Sequence, residues 1–207
     1  MKLARPVVAL ATLSCLVGGV AATAATPKPV CNLVTDAKGD ATGFLVLASS
    51  PAPSDSNLDI LTADVASDAK KFTAVIRVAA LGSDSTSPTG DIYYQNFSVD
   101  GTKYYVEALV VGTKGTFSYG DFSGAGGTRH DLGEADGIVD TKGKTVHVTV
   151  PGSTLGIKAG KSVIADLDTL AQRYVNLAVV GITPTADEAT SAKTYKAGAP
   201  SCVKPGK

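Results

Sequence analysis

The stretch from Leu58 to Leu81, LDILTADVASDAKKFTAVIRVAAL, carries two consecutive runs of two-residue periodicity joined by a polar turn, and that pairing leaves few folds open to the chain. In the second run Phe72, Ala74, Ile76, Val78 and Ala80 fall on one side and Thr73 and Arg77 on the other, the pattern of a half-buried strand. In the first, Leu61, Ala63 and Val65 oppose Thr62 and Asp64. Ser67-Asp68-Ala69-Lys70 supplies the turn chemistry between them, so the segment reads as an antiparallel hairpin with one face packed and one face wet.

The same signals recur downstream. Asp91 to Val99 and Thr102 to Val111 flank Asp100-Gly101, a dipeptide suited to the positive backbone angles of a tight hairpin turn. Ile138 to Asp140 and Thr145 to Val150 flank Lys142-Gly143 as a third hairpin. Further strands are predicted over Gly43 to Ala48, Thr116 to Phe122, Ser162 to Asp168 and Tyr174 to Gly181, with an edge element from Cys31 to Thr35. Pro51 and Pro53 mark Ser49 to Asn57 as loop, and Pro88 does the same for Gly82 to Gly90. Six glycines and several carboxylates mark Gly120 to Gly137 as a long surface loop. Pro151 to Gly156 reads as a single helical turn and Ala186 to Ala192 as a short helix. Nine or ten short strands with turns between them predict an all-β fold, a two-sheet antiparallel sandwich of jelly-roll type with one or two helical turns. At 207 residues, with 44% hydrophobic and only 18% charged residues, the chain has the material for one core.

Met1 to Ala25 has the three parts of a secretory leader: Lys2 and Arg5, an apolar run from Pro6 to Val20, and small residues ending in Ala22-Thr23-Ala24. Cleavage is expected after Ala24 or Ala25, leaving 25–207 as one secreted domain. The apolar run, broken by Gly18 and Gly19, falls short of the roughly 20 residues a spanning helix needs, so no membrane association is expected after cleavage. Cys15 lies inside the run, behind Thr12-Leu13-Ser14, which makes a poor lipobox. Removing the leader leaves Cys31 and Cys202 near the two ends of the mature chain, and in an oxidising compartment that pair forms one disulfide. Formal charge balances at zero and shifts to about −2 without Lys2 and Arg5, so there is no electrostatic footprint for nucleic acid.

The acidic turn Asp36 to Asp40, the run LDILTADV, the hairpin into FTAVIRVAAL and the later ADGIVD and VTVPGSTLG resemble secreted bacterial β-sandwich domains of the family nine carbohydrate-binding-module-like, or DOMON-like, jelly rolls. The resemblance implies a non-catalytic module for binding or packing, in some members with a structural calcium ion. Sugar-binding members grip their ligand between tryptophans, and this chain has none.

Carboxylates and one side-chain amide gather on the turns: Asp36 and Asp40, then Asp55, Asn57 and Asp59, and later Asp136 and Asp140. Calcium takes six to eight oxygens, and Asp36, Asp40 and Asp59 flank predicted strand ends where they would share one ion. The alternative is ordinary solvated turn acids. Tyr93, Tyr94, Tyr104 and Tyr105 sit on the two strands joined by Asp100-Gly101, with Tyr93 expected near Tyr105 across the hairpin. One member of each adjacent pair belongs to the core. The outward members would form a stacking platform for a sugar or peptide, or else serve as cross-strand pairs.

Only two histidines are present. His147 is expected on the solvent side of its strand. His130 sits in the Gly-rich segment beside Arg129 and Asp131, and a hydrolase built on it would need a nucleophile such as Ser123 and an orienting third group. There is no G-x-S-x-G elbow, no H-E-x-x-H and no Cys-x-x-Cys, and Gly124 to Thr128 lacks Walker spacing. The expectation is therefore a non-catalytic extracellular module, binding or structural, whose ligand would be a glycan or a protein, with structural calcium at the turn acids left open beside ordinary solvated carboxylates. The alternatives are a tyrosine-based carbohydrate-binding protein and a hydrolase using His130.

Overall fold

The structure, a computed structural model, describes residues 27–42, 55–82, 90–173, 175–176, 181–182 and 185–206. The leader, the strand expected over Gly43 to Ala48 and most of the two proline-containing loops lie outside these residues.

In chain order the strands are β1 (Val34–Thr35), β2 (Ile60–Ser67), β3 (Lys71–Val78), β4 (Asp91–Val99), β5 (Thr102–Val111) and β6 (Lys114–Asp121). They continue as β7 (His130–Glu134), β8 (Asp136–Asp140), β9 (Thr145–Pro151), β10 (Val163–Arg173), β11 (Val175–Asn176), β12 (Gly181–Ile182), β13 (Thr185–Ser191) and β14 (Tyr195–Lys196). Two sheets, antiparallel throughout, pack face to face. One runs β1-β2-β3-β9-β8; the other runs β13-β10-β4-β5-β6-β7, with β14 also pairing β10. This is the expected sandwich. Single 3-10 turns occur at Ala125–Gly127 and, as expected, at Gly152–Leu155.

All three hairpins form where turn chemistry places them. In the first, Asp68 Oδ1 accepts the backbone N–H groups of Lys70 and Lys71 at 2.7 and 2.8 Å, which also holds its carboxyl below the usual range. In the second, Asp100 and Gly101 take φ of 50° and 89°, the left-handed pair a two-residue hairpin demands. Asp100 Oδ1 also accepts the N–H of Val163 at 2.9 Å, so the same side chain fixes where β10 begins.

The inward faces meet as the alternation requires. Phe72, Ala74, Ile76 and Val78 of β3 and Val146, Val148 and Val150 of β9 are buried against Tyr93, Phe97, Val106 and Ala108 of the opposite sheet. Phe72 and Phe97 stack across the interface with ring centroids 4.5 Å apart. On β2 a register shift between Ile60 and Thr62 changes the face, so Ile60 enters the core in the place expected of Leu61. The outer side of β3 is not wholly wet either: Thr73 is buried, pairing with Thr149 at 2.9 Å and accepting the N–H of Gly206 at 2.7 Å as the chain end crosses over it.

Two expectations are corrected. The Gly120 to Gly137 segment is not one loop: it contains β7 on the edge of one sheet and β8 on the edge of the other, with Ala135 at the crossing. Its glycines serve close packing, since a Cβ at Gly137 would collide with the Phe117 ring. Ala186 to Ala192 is not helical: Thr185–Ser191 is a strand paired with β10, and Ala186 and Ala189 point into the core. A pair of two-residue strands, β11 and β12, falls in the region expected to hold one strand over Tyr174 to Gly181.

The first and last described segments meet. Val30 bridges Ser201, and Cys31 and Cys202 form the expected disulfide with Cα atoms 5.2 Å apart. Among the described residues no helix is long and apolar enough to cross a membrane.

Candidate functional site

Three carboxylates from distant points of the sequence converge at one end of the sandwich. Asp36 follows β1, Asp40 closes the Asp36 to Asp40 turn, and Asp187 stands on β13; one oxygen from each lies within 4.8 Å of the others. Asp187 is 8% exposed. Its Oδ2 accepts the N–H of Ile60 at 2.7 Å and its Oδ1 that of Glu188 at 2.9 Å. Burial, then the charges of Asp36 and Asp40, push its carboxyl up to about 6. A raised carboxyl takes up a proton on folding, so without a cation the folded state loses stability as pH climbs from about 4 to about 6, on the order of 2 to 3 kcal/mol. Asp36 Oδ1 accepts the N–H of Ala37, while its Oδ2 is buried with no hydrogen-bond partner. Like charges at this spacing with an unpartnered oxygen suit a hard divalent cation, whose remaining coordination backbone carbonyls and water can supply.

The expected third ligand, Asp59, does something else. It is buried, and both of its oxygens accept the N–H of Gly39, at 3.0 and 2.9 Å, while Gly39 takes a φ of 88°. Asp59 thus holds the turn that carries Asp40. Asp55 is paired with Arg173, which also donates from Nε to Asp91 at 3.1 Å. Asp136 and Asp140 lie on the exposed edge strand β8.

The four tyrosines divide as expected between core and outer face, with different partners. Tyr93 is in the core and donates to the carbonyl of Asn57 at 2.7 Å, and Tyr104 packs beside Phe97. The outward pair is Tyr94 and Tyr105, edge-on at 6.1 Å, so Tyr93 does not meet Tyr105. Neither ring is open: Tyr94 is 8% exposed and Tyr105 3%. The Arg129 guanidinium lies 3.8 Å above the Tyr94 ring, and Phe122 packs edge-on to Tyr105 at 5.8 Å. Burial, then Glu107 nearby, raises the Tyr94 hydroxyl.

Beside this covered cluster is a cavity of about 690 Å³ on the outer face of the larger sheet. Its floor follows the ladder, in which Thr190 faces Asp168 and Asp168 faces Asn96. Phe122 and Gly127 stand on one side and Ser191 and Ala192 on the other. A register shift between Ala165 and Asp168 puts Asp166 at a φ of 50° and turns it to the same cavity. The size is that of small-ligand sites, about 300 to 1,000 Å³.

The chain matches no family model, no curated protein and no solved structure. The reading of these sites therefore rests on their own geometry.

Ser123, His130 and Asp121 come together without the wiring of a triad. Ser123 Oγ donates to Asp121 Oδ1 at 2.7 Å, and His130 Nδ1 lies 3.2 Å from Ser123 Oγ and 3.4 Å from Asp121 Oδ1. One imidazole nitrogen faces both groups, whereas a triad places the serine on one nitrogen and the carboxylate on the other. The hydroxyl proton is already given to Asp121, whose carboxyl is lowered by that bond and by the Ser123 N–H. His147 is half-buried with Nε2 2.9 Å from Thr145 Oγ1.

Two site features escaped the sequence reading. Asp187 was hidden inside a segment expected to be helical, although the Asp187-Glu188 acid pair was visible. The cavity depends on strand neighbours far apart in sequence, which no local pattern reveals.

Proposed function

We propose that the chain is a secreted, non-catalytic β-sandwich module, held in its folded form by calcium at Asp36, Asp40 and Asp187 and presenting the outer-face cavity to an extracellular ligand. The observation that carries the calcium assignment is the convergence of three carboxylates, one buried and one with an unpartnered oxygen. The leader-like residues 1–25 and the Cys31–Cys202 disulfide support export to an oxidising compartment. The arrangement of Ser123, His130 and Asp121 supports the non-catalytic reading. The resemblance of the sequence to jelly-roll domains, some of which hold a structural calcium ion, is in keeping with this reading.

Isothermal titration of the purified, chelator-stripped protein is expected to show one calcium ion bound per chain. Asp40→Asn, at an exposed position, and Asp187→Asn should each weaken binding by about tenfold or more through loss of ligand charge. Binding at full strength in both variants would remove the site from Asp36, Asp40 and Asp187.

A further inference from the structure

We infer that the cavity on the outer face of the larger sheet takes a ligand bearing an ammonium group on an apolar stem, as in a polyamine or a lysine side chain. The inference rests on the reading of this face as the binding face of a non-catalytic module, and the calcium cluster has no part in it.

The lining supplies the chemistry. Among the described residues Asp166, Asp168 and Glu188 bring three carboxylates to the lining, against the one ammonium of Lys103. Neutral donors answer the two that are hydrogen-bonded: Ser98 Oγ donates to Asp166 at 2.7 Å and Asn96 Nδ2 to Asp168 Oδ2 at 2.8 Å. Asp168 Oδ1 is buried and has no hydrogen-bond partner. The nearby Arg129 guanidinium stacks on the Tyr94 ring, offsets part of the Glu107 charge and donates from Nη2 to Asn96 Oδ1 at 3.4 Å, so among the described residues three lining carboxylates stand against Lys103 and this one shared guanidinium. The cavity thus carries an excess of negative charge that a neutral sugar would leave uncompensated and an acidic ligand would meet with repulsion. Phe122 and Ala192 give its walls apolar surface suited to a methylene stem.

The test is isothermal titration of the protein with four probes: spermidine, an end-blocked lysine tripeptide, the same peptide acetylated on Nζ, and a neutral cello-oligosaccharide. Spermidine or the lysine peptide should bind, the tighter of the two naming the source of the ammonium, and acetylation should weaken the peptide by about tenfold or more. Binding should weaken as salt is raised. Asp168→Asn and Glu188→Gln should each lower affinity severalfold with the melting temperature unmoved. Lys103→Gln should raise it by roughly threefold, a gain that loss of a merely structural residue would not produce. Binding of the neutral sugar alone, abolished in Asp168→Asn, would overturn the ammonium assignment and keep the binding face. Absence of any probe binding sensitive to Asp168 or Glu188 would overturn both.

Discussion

Replacing Cys31 and Cys202 together by serine is expected to lower the stability of the folded protein by several kcal/mol. The two residues are 171 apart in sequence, so the bridge closes nearly the whole described chain into one loop. In the chain-entropy model a loop of that length restricts the unfolded state by about 5 kcal/mol, and measured bridges commonly deliver about 2 to 5. The segments beside the bridge have contacts of their own. Val30 donates to the carbonyl of Pro200 at 2.9 Å, Cys202 donates to that of Val30 at 3.1 Å, and Tyr195 donates to that of Ala199 at 2.6 Å. The double variant should therefore keep the folded strand signature in circular dichroism while its urea midpoint falls sharply, with the dependence on denaturant steepened by the less restricted unfolded chain. Reduction of the wild-type protein should reproduce the same shift. A loss below about 1 kcal/mol by both routes would mean that the terminal pairing holds without the bridge.

The second large effect is expected at the join between the sheets. Phe72 is fully buried on β3 and stacks on Phe97 of β4 at 4.5 Å with the ring planes 24° apart, so its truncation opens a cavity where the two layers touch. Phe72→Ala should cost about 3 to 5 kcal/mol, and Phe72→Leu, which keeps most of the volume, clearly less. Ile138→Ala is the internal control: that side chain is 54% exposed on edge strand β8 and should change stability by no more than about 0.5 kcal/mol. Equal costs at Phe72 and Ile138, measured by urea unfolding, would contradict the packing of the sheets through this pair.

Residues that determine structure locally were legible in the sequence. Asp100-Gly101 specifies a two-residue turn, which makes Val99 face Thr102, and counting away from that pair in twos puts Tyr93 and Tyr104 on one face and leaves Tyr94 and Tyr105 together on the other. The expectation that Tyr93 would meet Tyr105 ignored that consequence of the turn. Thr185–Ser191 contains Ala, Asp and Glu in an order that suits a short helix, and only its pairing with β10 makes it a strand. Strand preference of this kind is imposed by neighbours and not by composition. The same pairing brings Asp187 to Asp36 and Asp40, so misreading β13 also lost the third carboxylate of the cluster. Asp59 was rightly placed beside the acidic turn, but its two bonds to the N–H of Gly39 make it a support for that turn. The glycine-rich segment misled in the opposite way, because edge strands such as β7 and β8 tolerate exposed polar residues and glycine that read as loop.

In the proposed function a cation bound by Asp36, Asp40 and Asp187 is part of the folded structure. The thermal midpoint at pH 7, measured in chelator and again in calcium at about one hundred times its dissociation constant, addresses it most directly. Linkage gives about 2.7 kcal/mol of added stability, or a rise of roughly 5 to 10 °C for a chain of this size, cut to about half or less in Asp187→Asn at the same calcium concentration. Coincident midpoints in chelator and calcium would contradict the claim.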